Sequence, residues 1–557
     1  MMLSGSDIII KTLIEQECDV VFGYPGGQIL DVYDSLYKYS DQIRHVLAAH
    51  EQGAAHAADG WARATGRPGV VIATSGPGAT NLVTGIATAH LDSVPMVVIT
   101  GNVSTYQIGY DSFQEIDITG ITLPITKHNY FVGSVEELAD TIREAFRLAV
   151  SGRPGPVLID VPKDVQMAKC EYEPCDKVVS DIKCAAKDIR IAEAAECINS
   201  SRRPYIYFGG GLVSSGAREQ MLELAEKIDA VIGCSMMGLS AIPTDHPRFL
   251  GMQGMHGHYA SSMAMNSADC IISLGVRFND RVTGNKDKFA TFAKIIHIDI
   301  DGSELAKTVD EAIGLRGDIK ETLTGILEQV KKSEKPEWQK EVKKLRQAEL
   351  DDTDVRTGMT PKNIISMLNT YINENTPVAT DVGQHQMWSA QELIFKNERR
   401  FISSGGLGTM GFGLGAAIGA QIGTGERAVL ITGDGSFGMN LNELATAVSN
   451  NIPLVILIMN NGVLGMVRQW QTLFYEKHYS NTVLNRKTDF VALARSFGAD
   501  GKRVETLEDL KKAFDTAFNY EGTFVIDCVI DADEYVLPMM PPGSTMENII
   551  VKVGDEE

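Results

Sequence analysis

Short β-branched runs recur along the chain, separated by stretches of helical periodicity. They lie at 69–74, 95–100, 156–161, 205–210, 270–275, 294–300, 428–433, 453–460 and 524–530. Within each run the apolar residues are continuous rather than alternating. Such runs predict strands buried on both faces, hence parallel sheets covered by helices. The predicted fold class is α/β, with doubly wound parallel-sheet domains repeated along the chain.

Two polar stretches break this rhythm. Residues 164–188 have weak periodicity, and residues 331–360 are rich in charges of mixed sign at helical spacing. Both are expected to be linkers, the second with part of it as a solvated helix. They divide the chain into domains of about 1–165, 190–330 and 360–557. The first and third share a pattern: at a constant offset of 358, Thr74 falls on Thr432, Ala87-Thr88-Ala89 on Ala445-Thr446-Ala447, Pro95 on Pro453 and Asn102 on Asn460. Each copy predicts strand, Gly-containing turn, helix and strand. Two related domains flanking a different middle one explain this; chance likeness between two βαβ units is the alternative. Ligands of such sheets sit at the strand ends.

Composition narrows the partners. The chain has 557 residues, 44% hydrophobic and 22% charged, with 51 basic and 72 acidic side chains and a net charge of −21. That charge repels phosphate backbones and anionic lipid, so neither nucleic acid nor a membrane is expected as a partner. The eight cysteines form no CxxC pair and several sit in apolar runs, as in reduced cytosolic proteins. No basic leader segment and no membrane-length apolar run is visible, so a cytoplasmic location is expected.

The chemistry concentrates in the third domain. Gly433-Asp434-Gly435-Ser436 follows a strand, and Asn460-Asn461 ends the next one. The glycines permit close backbone approach to a phosphate. Asp434, the Asn461 amide oxygen and the Val463 carbonyl form an oxygen set suited to Mg²⁺ shared with a diphosphate. A turn aspartate and a capping asparagine are the plain alternative. In the middle domain Gly209-Gly210-Gly211 follows a strand, and Asp299, Ile300 and Asp318 follow later ones. This pattern is that of a dinucleotide site or of ordinary α/β turns. His50-Glu51 followed by His56 is not a zinc motif, because HExxH requires histidine where Ala54 stands.

The GDGS…NN arrangement resembles that of thiamine-diphosphate enzymes. HEQGAAHAADGWARATGRPGV, SGPGATN, FQEIDITGITLPITKH, GRPGPVLIDVPKD, GMHG, RFNDRVTG, HIDID, DVGQHQMW, SGGLGTMGFG and GMVRQW are similar to motifs of the acetohydroxyacid synthase large-subunit family. The resemblance runs from about residue 3 to 545.

It implies roles. Glu51 would hydrogen-bond N1′ of the cofactor's aminopyrimidine and favour its imino tautomer. The Gly408 carbonyl would accept from the 4′-amino group, and Met410 would hold the cofactor bent. Gln384 and His385 would reach the diphosphate. Tyr24, Pro25, Pro77 and Asn81 would line the pyrimidine side from a partner subunit, implying an obligate homodimer or a dimer of dimers. Phe113, Gln114, Lys163 and Arg281 match positions near the reacting carbonyl or the substrate carboxylate, and Trp470 favours 2-oxobutanoate over pyruvate as second substrate. Arg153, Gly209–Gly211, His256, Arg277, Arg281, Asp299, Ile300 and Asp318 would hold FAD without a redox role in the net reaction. The implied activity is acetolactate synthase, which opens branched-chain amino-acid synthesis, with a separate small regulatory subunit as a further partner.

The resemblance has gaps. Ser104 and Ser112 replace residues common in the family along the substrate channel, so inhibitor sensitivity does not carry over. The rival functions are a flavin-using pyruvate oxidase on the same scaffold and a non-catalytic paralogue.

Overall fold

The nine apolar runs all become strands in the computed structural model, which describes residues 1–178, 184–310, 312–351 and 356–553. Three six-stranded sheets result, and every pairing within them is parallel. The first contains β1 (Val20–Tyr24), β2 (Arg44–Leu47), β3 (Gly69–Ala73), β4 (Met96–Asn102), β5 (His128–Phe131) and β6 (Pro156–Pro162). The second contains β7 (Pro204–Phe208), β8 (Val231–Cys234), β9 (Phe249–Met252), β10 (Cys270–Leu274), β11 (Lys294–Asp299) and β12 (Ile313–Arg316). The third contains β13 (Val378–Thr380), β14 (Phe401–Ile402), β15 (Ala428–Gly433), β16 (Leu454–Asn460), β17 (Asp500–Val504) and β18 (Phe524–Val529). The central strands β3, β4, β6, β7, β10 and β15 are buried at every residue, as their unbroken apolar sequences require.

Strand order relates the sheets. The first runs β2-β1-β3-β4-β6-β5 and the third β14-β13-β15-β16-β18-β17, the same permutation. The repeat at offset 358 is the β3-to-β4 unit of one and the β15-to-β16 unit of the other. The middle sheet runs β9-β8-β7-β10-β11-β12. That is the order of dinucleotide-binding sheets, whose strand direction of travel reverses between β7 and β10.

Six helices matter for the site: α1 (Glu51–Thr65), α2 (Val83–Asp92), α3 (Pro336–Asp351), α4 (Phe412–Thr424), α5 (Asp434–Asn440) and α6 (Gly465–Phe474). Helices α1 and α4 cross in backbone contact. A Cβ on Gly60 would lie 2.1 Å from the Ala416 carbonyl oxygen, and one on Gly419 would lie 1.8 Å from that of Ala57. The small residues of both sequences are therefore an interface between the first and third domains. This covers the Ala/Gly-rich face that follows Glu51.

The two polar stretches differ from plain linkers. The first opens with a helix at Lys163–Met167 and a strand at Lys169–Glu171, which pairs antiparallel with Met2–Ser4. The second contains α3, whose Trp338 and Val342 are buried in the middle domain's core. The body of that domain thus passes residue 330, the boundary expected from charge. An apolar pair at i, i+4 suffices to dock a helix whose other faces are Lys and Glu, and the abundant charge masks it in the sequence. Residues 179–183 and 352–355 of these stretches lie outside the described residues.

Candidate functional site

The carboxyl ends of β13, β15 and β16 meet at one edge of the third sheet. Asp434 begins α5 directly after β15 and is 7% exposed. Burial pushes its carboxyl up to about 6, while the N–H groups of Gly435 and Gly462 pull the other way. Asp434 therefore lies against the loop that follows Asn461. Asn461 is oriented by two bonds: its Nδ2 donates to Gln384 Oε1 at 3.4 Å, and its Oδ1 accepts from the Val463 N–H at 3.2 Å. The Oδ1 atom keeps a second lone pair. Gln384 is itself fixed, donating to Gln469 Oε1 and to the Glu534 carbonyl. Both ends of its amide thus have protein partners, and its contact here is with the Asn461 amide. Ser436 Oγ donates to the Val382 carbonyl at 2.9 Å.

His385 stands beside these groups, buried, with its imidazole pushed down to about 3 by burial and its Nε2 without a partner. Room for the ring comes from Gly433, where a Cβ would lie 3.0 Å from His385 Nδ1. An orphaned buried imidazole nitrogen beside a strand-end glycine fits a phosphate oxygen. Among the described residues no three His, Cys, Asp or Glu side chains converge as a metal cage. A cation here would rely on Asp434, on amide and carbonyl oxygens and on ligand oxygens, which is the donor pattern of Mg²⁺ bound with phosphates. Met410 overhangs the turn, its Cε 3.9 Å from where a Gly435 Cβ would stand.

A second group gathers at the carboxyl ends of the first sheet. Glu51 opens α1, half-buried, and accepts from Asn81 Nδ2 at 2.9 Å. The preceding turn is held from the third domain: the Ala49 N–H donates to Glu443 Oε2 and to Thr446 Oγ1. His50 Nδ1 accepts from the Gln52 N–H and caps α1, while His56 is buried against Phe412, so neither histidine has the position of a metal ligand. Tyr24 ends β1 and Pro25 follows it, and Lys163 Nζ donates to the Gly27 carbonyl of the same turn at 3.0 Å. Gln114, at a φ of 62°, packs against Gly76 beside Pro77. Tyr24 is 41% and Phe113 83% exposed.

The third feature is a cavity of about 1460 Å³ between the middle domain, the end of α2 and the third domain. Arg153, Gly209, Gly210, Gly211, His256, Arg277, Arg281, Asp299, Ile300 and Asp318 all line it, and so do Gly408, Met410 and Trp470. It is larger than the ~300–1,000 Å³ that suits one drug-sized ligand. Two lining residues leave buried polar atoms unpaired, the Gln253 amide at both ends and His256 at Nδ1. The size, the orphaned atoms and the strand order all fit a dinucleotide such as FAD. Other details differ from a simple motif. Gly209 and Gly211 are demanded by Gly275, whose backbone atoms would lie 2.6 Å from either Cβ. Asp318 accepts from the N–H groups of Lys320 and Glu321 as a helix cap. Arg153 pairs with Glu304 and Asp301. Arg281 lies over the Trp470 ring at 5.6 Å, which joins the middle domain to α6.

Family models match each domain in turn. Those described as the N-terminal TPP binding, central and C-terminal TPP binding domains of thiamine pyrophosphate enzymes match residues 3–121, 191–326 and 381–528. A probable acetolactate synthase large subunit of Methanocaldococcus jannaschii is 45% identical over 98% of this chain and 95% of its own length. The acetolactate synthase isozyme 2 large subunit of Escherichia coli is 42% identical over 99% and 100%, and the acetolactate synthase large subunit of Corynebacterium glutamicum 43% identical over 99% and 91%. The chain belongs to the acetolactate synthase large subunits. It is a thiamine-pyrophosphate-dependent enzyme of that family. No helix among the described residues is long and apolar enough to cross a membrane.

Sequence reasoning overlooked several residues that the structure brings to the candidate site. Asp381, at the end of β13, accepts from the N–H groups of Val382 and Gly411, and burial pushes its carboxyl up to about 6. Glu443 holds the turn before Glu51. Gln253 lines the cavity with an unpaired amide. Asp92 grips the loop that carries Gly408 and Met410. The only sequence signals were a Gly-Gly pair at 405–406 and acids at the ends of apolar elements, neither of which names a partner.

Proposed function

We propose that this synthase decarboxylates pyruvate and ligates the two-carbon remainder to a second 2-oxo acid, using thiamine diphosphate, Mg²⁺ and FAD. Pyruvate as acceptor gives 2-acetolactate, and 2-oxobutanoate gives 2-aceto-2-hydroxybutanoate. The carrying observation is the gathering of Asp434, Asn461, His385 and Met410 at one sheet edge. Bound thiamine diphosphate supplies a carbanion at its thiazolium ring. The chain's residues do the rest. Asp434, the Asn461 amide and the Val463 carbonyl hold the cation. His385 and the backbone of Gly433, Gly435 and Ser436 take the diphosphate. Glu51, tied to Asn81, exchanges a proton with the aminopyrimidine, and the Gly408 carbonyl receives its amino group. Lys163 and Arg281 offer cations to 2-oxo acid carboxylates, while Phe113, Gln114 and Trp470 shape the acceptor space. The lining of the large cavity, with Gly209–Gly211, Gln253 and His256, would hold FAD, which would have no redox part in the net reaction.

The site needs a second copy of the chain. Glu51, Tyr24, Pro25, Pro77 and Asn81 are absent from the cavity wall formed by Met410 and Trp470. Large apolar side chains stand exposed near both groups, among them Phe113, Leu407 and Met439. A homodimer, alone or paired into a tetramer, covers such surfaces and completes each site from two chains. The relatives are named large subunits, which supports a separate small regulatory subunit.

The test is a product assay on purified protein with pyruvate, Mg²⁺, thiamine diphosphate and FAD. Acetolactate that depends on thiamine diphosphate is expected. Peroxide or acetyl phosphate, with flavin reduction at turnover rates, would establish the oxidase instead. Glu51→Gln is expected to lose most turnover while still binding thiamine diphosphate; wild-type turnover in that variant would remove Glu51 from its role.

A further inference from the structure

The loop 403–411 carries Gly408 and Met410, yet much of its backbone is held by another domain. Helix α2 ends at Asp92, whose side chain is fully buried. Its Oδ2 accepts from the Gly405 N–H at 3.0 Å and from Arg63 Nη2 at 2.9 Å, and its Oδ1 accepts from the Gly406 N–H at 2.7 Å. Arg63, on α1, also pairs with Asp59 and donates to the Ser403 carbonyl at 2.9 Å. One turn earlier on the same face of α2, the Thr88 hydroxyl shares a hydrogen bond of 2.7 Å with the Thr409 hydroxyl. The first domain thus grips the loop at Ser403, at Gly405-Gly406 and at Thr409. Across the loop, the Gly411 N–H donates to Asp381 Oδ1 at 2.8 Å.

The glycines record the closeness of this grip. A Cβ on Gly406 would lie 2.8 Å from Asp92 Oδ1 and 3.0 Å from the Leu91 carbonyl oxygen. Between the two anchors Gly408 has a φ of +68° and only one side-chain atom, at 3.9 Å, near a would-be Cβ. The segment that presents the Gly408 carbonyl therefore has little packing of its own. Its conformation depends on the carboxylates at either end, through charge-assisted bonds.

We infer that Asp92, itself held by Arg63, is a positioning residue that sets loop 403–411 and with it the Gly408 carbonyl and the Met410 side chain. This rests on the thiamine-diphosphate role proposed for Gly408 and Met410. The buried trio carries two carboxylates and one guanidinium, and the N–H groups of Gly405 and Gly406 balance the excess negative charge. An amide at position 92 has one acceptor atom for three donors. Whichever way it turns, its NH₂ faces an N–H of the loop or of Arg63.

The experiment compares full-length wild type, Asp92→Asn and Thr88→Val with saturating Mg²⁺ and FAD. It reads thiamine-diphosphate affinity by calorimetry, kcat and pyruvate KM at saturating cofactor, near-ultraviolet circular dichroism of the bound cofactor, and the cofactor-free Tm. In Asp92→Asn, kcat is expected to fall at least tenfold with pyruvate KM within about twofold. Cofactor affinity falls about tenfold, the dichroism of the bound cofactor changes, and cofactor-free Tm shifts little. Thr88→Val is expected to move kcat and dichroism the same way by about threefold. Wild-type kcat and dichroism in folded Asp92→Asn overturn the inference, as does a lowered Tm with intact kcat, the mark of a merely structural ion pair. If Asp92→Asn does not fold, Thr88→Val decides, and unchanged kcat and dichroism there overturn it. A wild type that binds no thiamine diphosphate overturns the proposed function, and this inference with it.

Discussion

Replacing Gly419 by alanine tests whether the first and third domains are held by backbone contact. The new Cβ would stand 1.8 Å from the Ala57 carbonyl oxygen. An ordinary carbon–oxygen contact is about 3.3 Å, so α1 and α4 must part by roughly 1.5 Å at this point. The obstacle is main chain, so no side-chain rotation relieves it. Parting also loosens the neighbouring contacts at Gly60 and Ala416 and at Gly53 and Gly415. Overpacking of this kind costs about 1–3 kcal/mol or more, and a backbone obstacle belongs at the upper end. Alanine recovers about 1 kcal/mol of helix propensity, leaving a net loss of about 2 kcal/mol. Gly325→Ala, in the helix Ile319–Gln329, is the control: its Cβ meets only the Ile191 side chain, at 3.1 Å from the flexible Cδ1. There the propensity gain dominates, and the change is neutral or stabilising. The assay is urea unfolding followed by tryptophan fluorescence and far-ultraviolet circular dichroism; Trp61, buried in α1, sits in the interface. A Gly419→Ala protein with a wild-type midpoint would refute the argument, because it would mean that α1 and α4 do not approach as described.

Asp160 predicts a pH dependence. It is 2% exposed, and burial pushes its carboxyl up to about 7 although Thr100 Oγ1 and Asn102 Nδ2 donate to it. An unfolded carboxyl releases its proton near ~3.9. Between about 4 and 7 the folded chain binds more protons than the unfolded one, so this group's contribution to stability is lost as pH rises through that window. Asp160→Asn should flatten that part of the urea-midpoint curve against pH, and an unchanged slope would count against it. Trp470 predicts a change of selectivity. Trp470→Leu removes the ring beneath the largely exposed Arg281 guanidinium and about 0.5–1 kcal/mol of attraction; competition between 2-oxobutanoate and pyruvate should then shift toward acetolactate, roughly two- to fivefold, and an unaltered product ratio would free Trp470 of the role.

Much of this fold is written locally. Unbroken apolar runs marked the strands because burial on both faces leaves no polar alternation, and the repeated βαβ unit was visible because two related turns need the same small residues. Strand order was not visible, since the pairing of β1 with β3 or of β7 with β10 joins distant segments. Helix α3 reads from the sequence as a solvated helix, and its docking is hidden because Trp338 and Val342 are two apolar residues among many charges. Asp434 and Asn461 were legible because each terminates an apolar strand. Asp92 was not: it looks like an ordinary helix-end acid, and its partner Gly405 is 313 positions away.

The glycines show why a motif alone misleads. Residues 406–411 satisfy the spacing GxGxxG, but Gly405 and Gly406 direct their N–H groups to the Asp92 carboxylate, and Gly408 and Gly411 serve backbone angles of +68° and +89°. In α1 and α4 the glycines let two helices touch, and at Gly209 and Gly211 they let one strand-end turn pass another. At Gly433 the missing Cβ leaves space for the unpaired imidazole of His385. One residue type thus answers five separate constraints, and of those five only the last opens space beside a polar group left free for a ligand. The distinction between a phosphate turn and a structural glycine lies in which polar atoms around it remain unpaired. That can be settled only when its distant neighbours are in place.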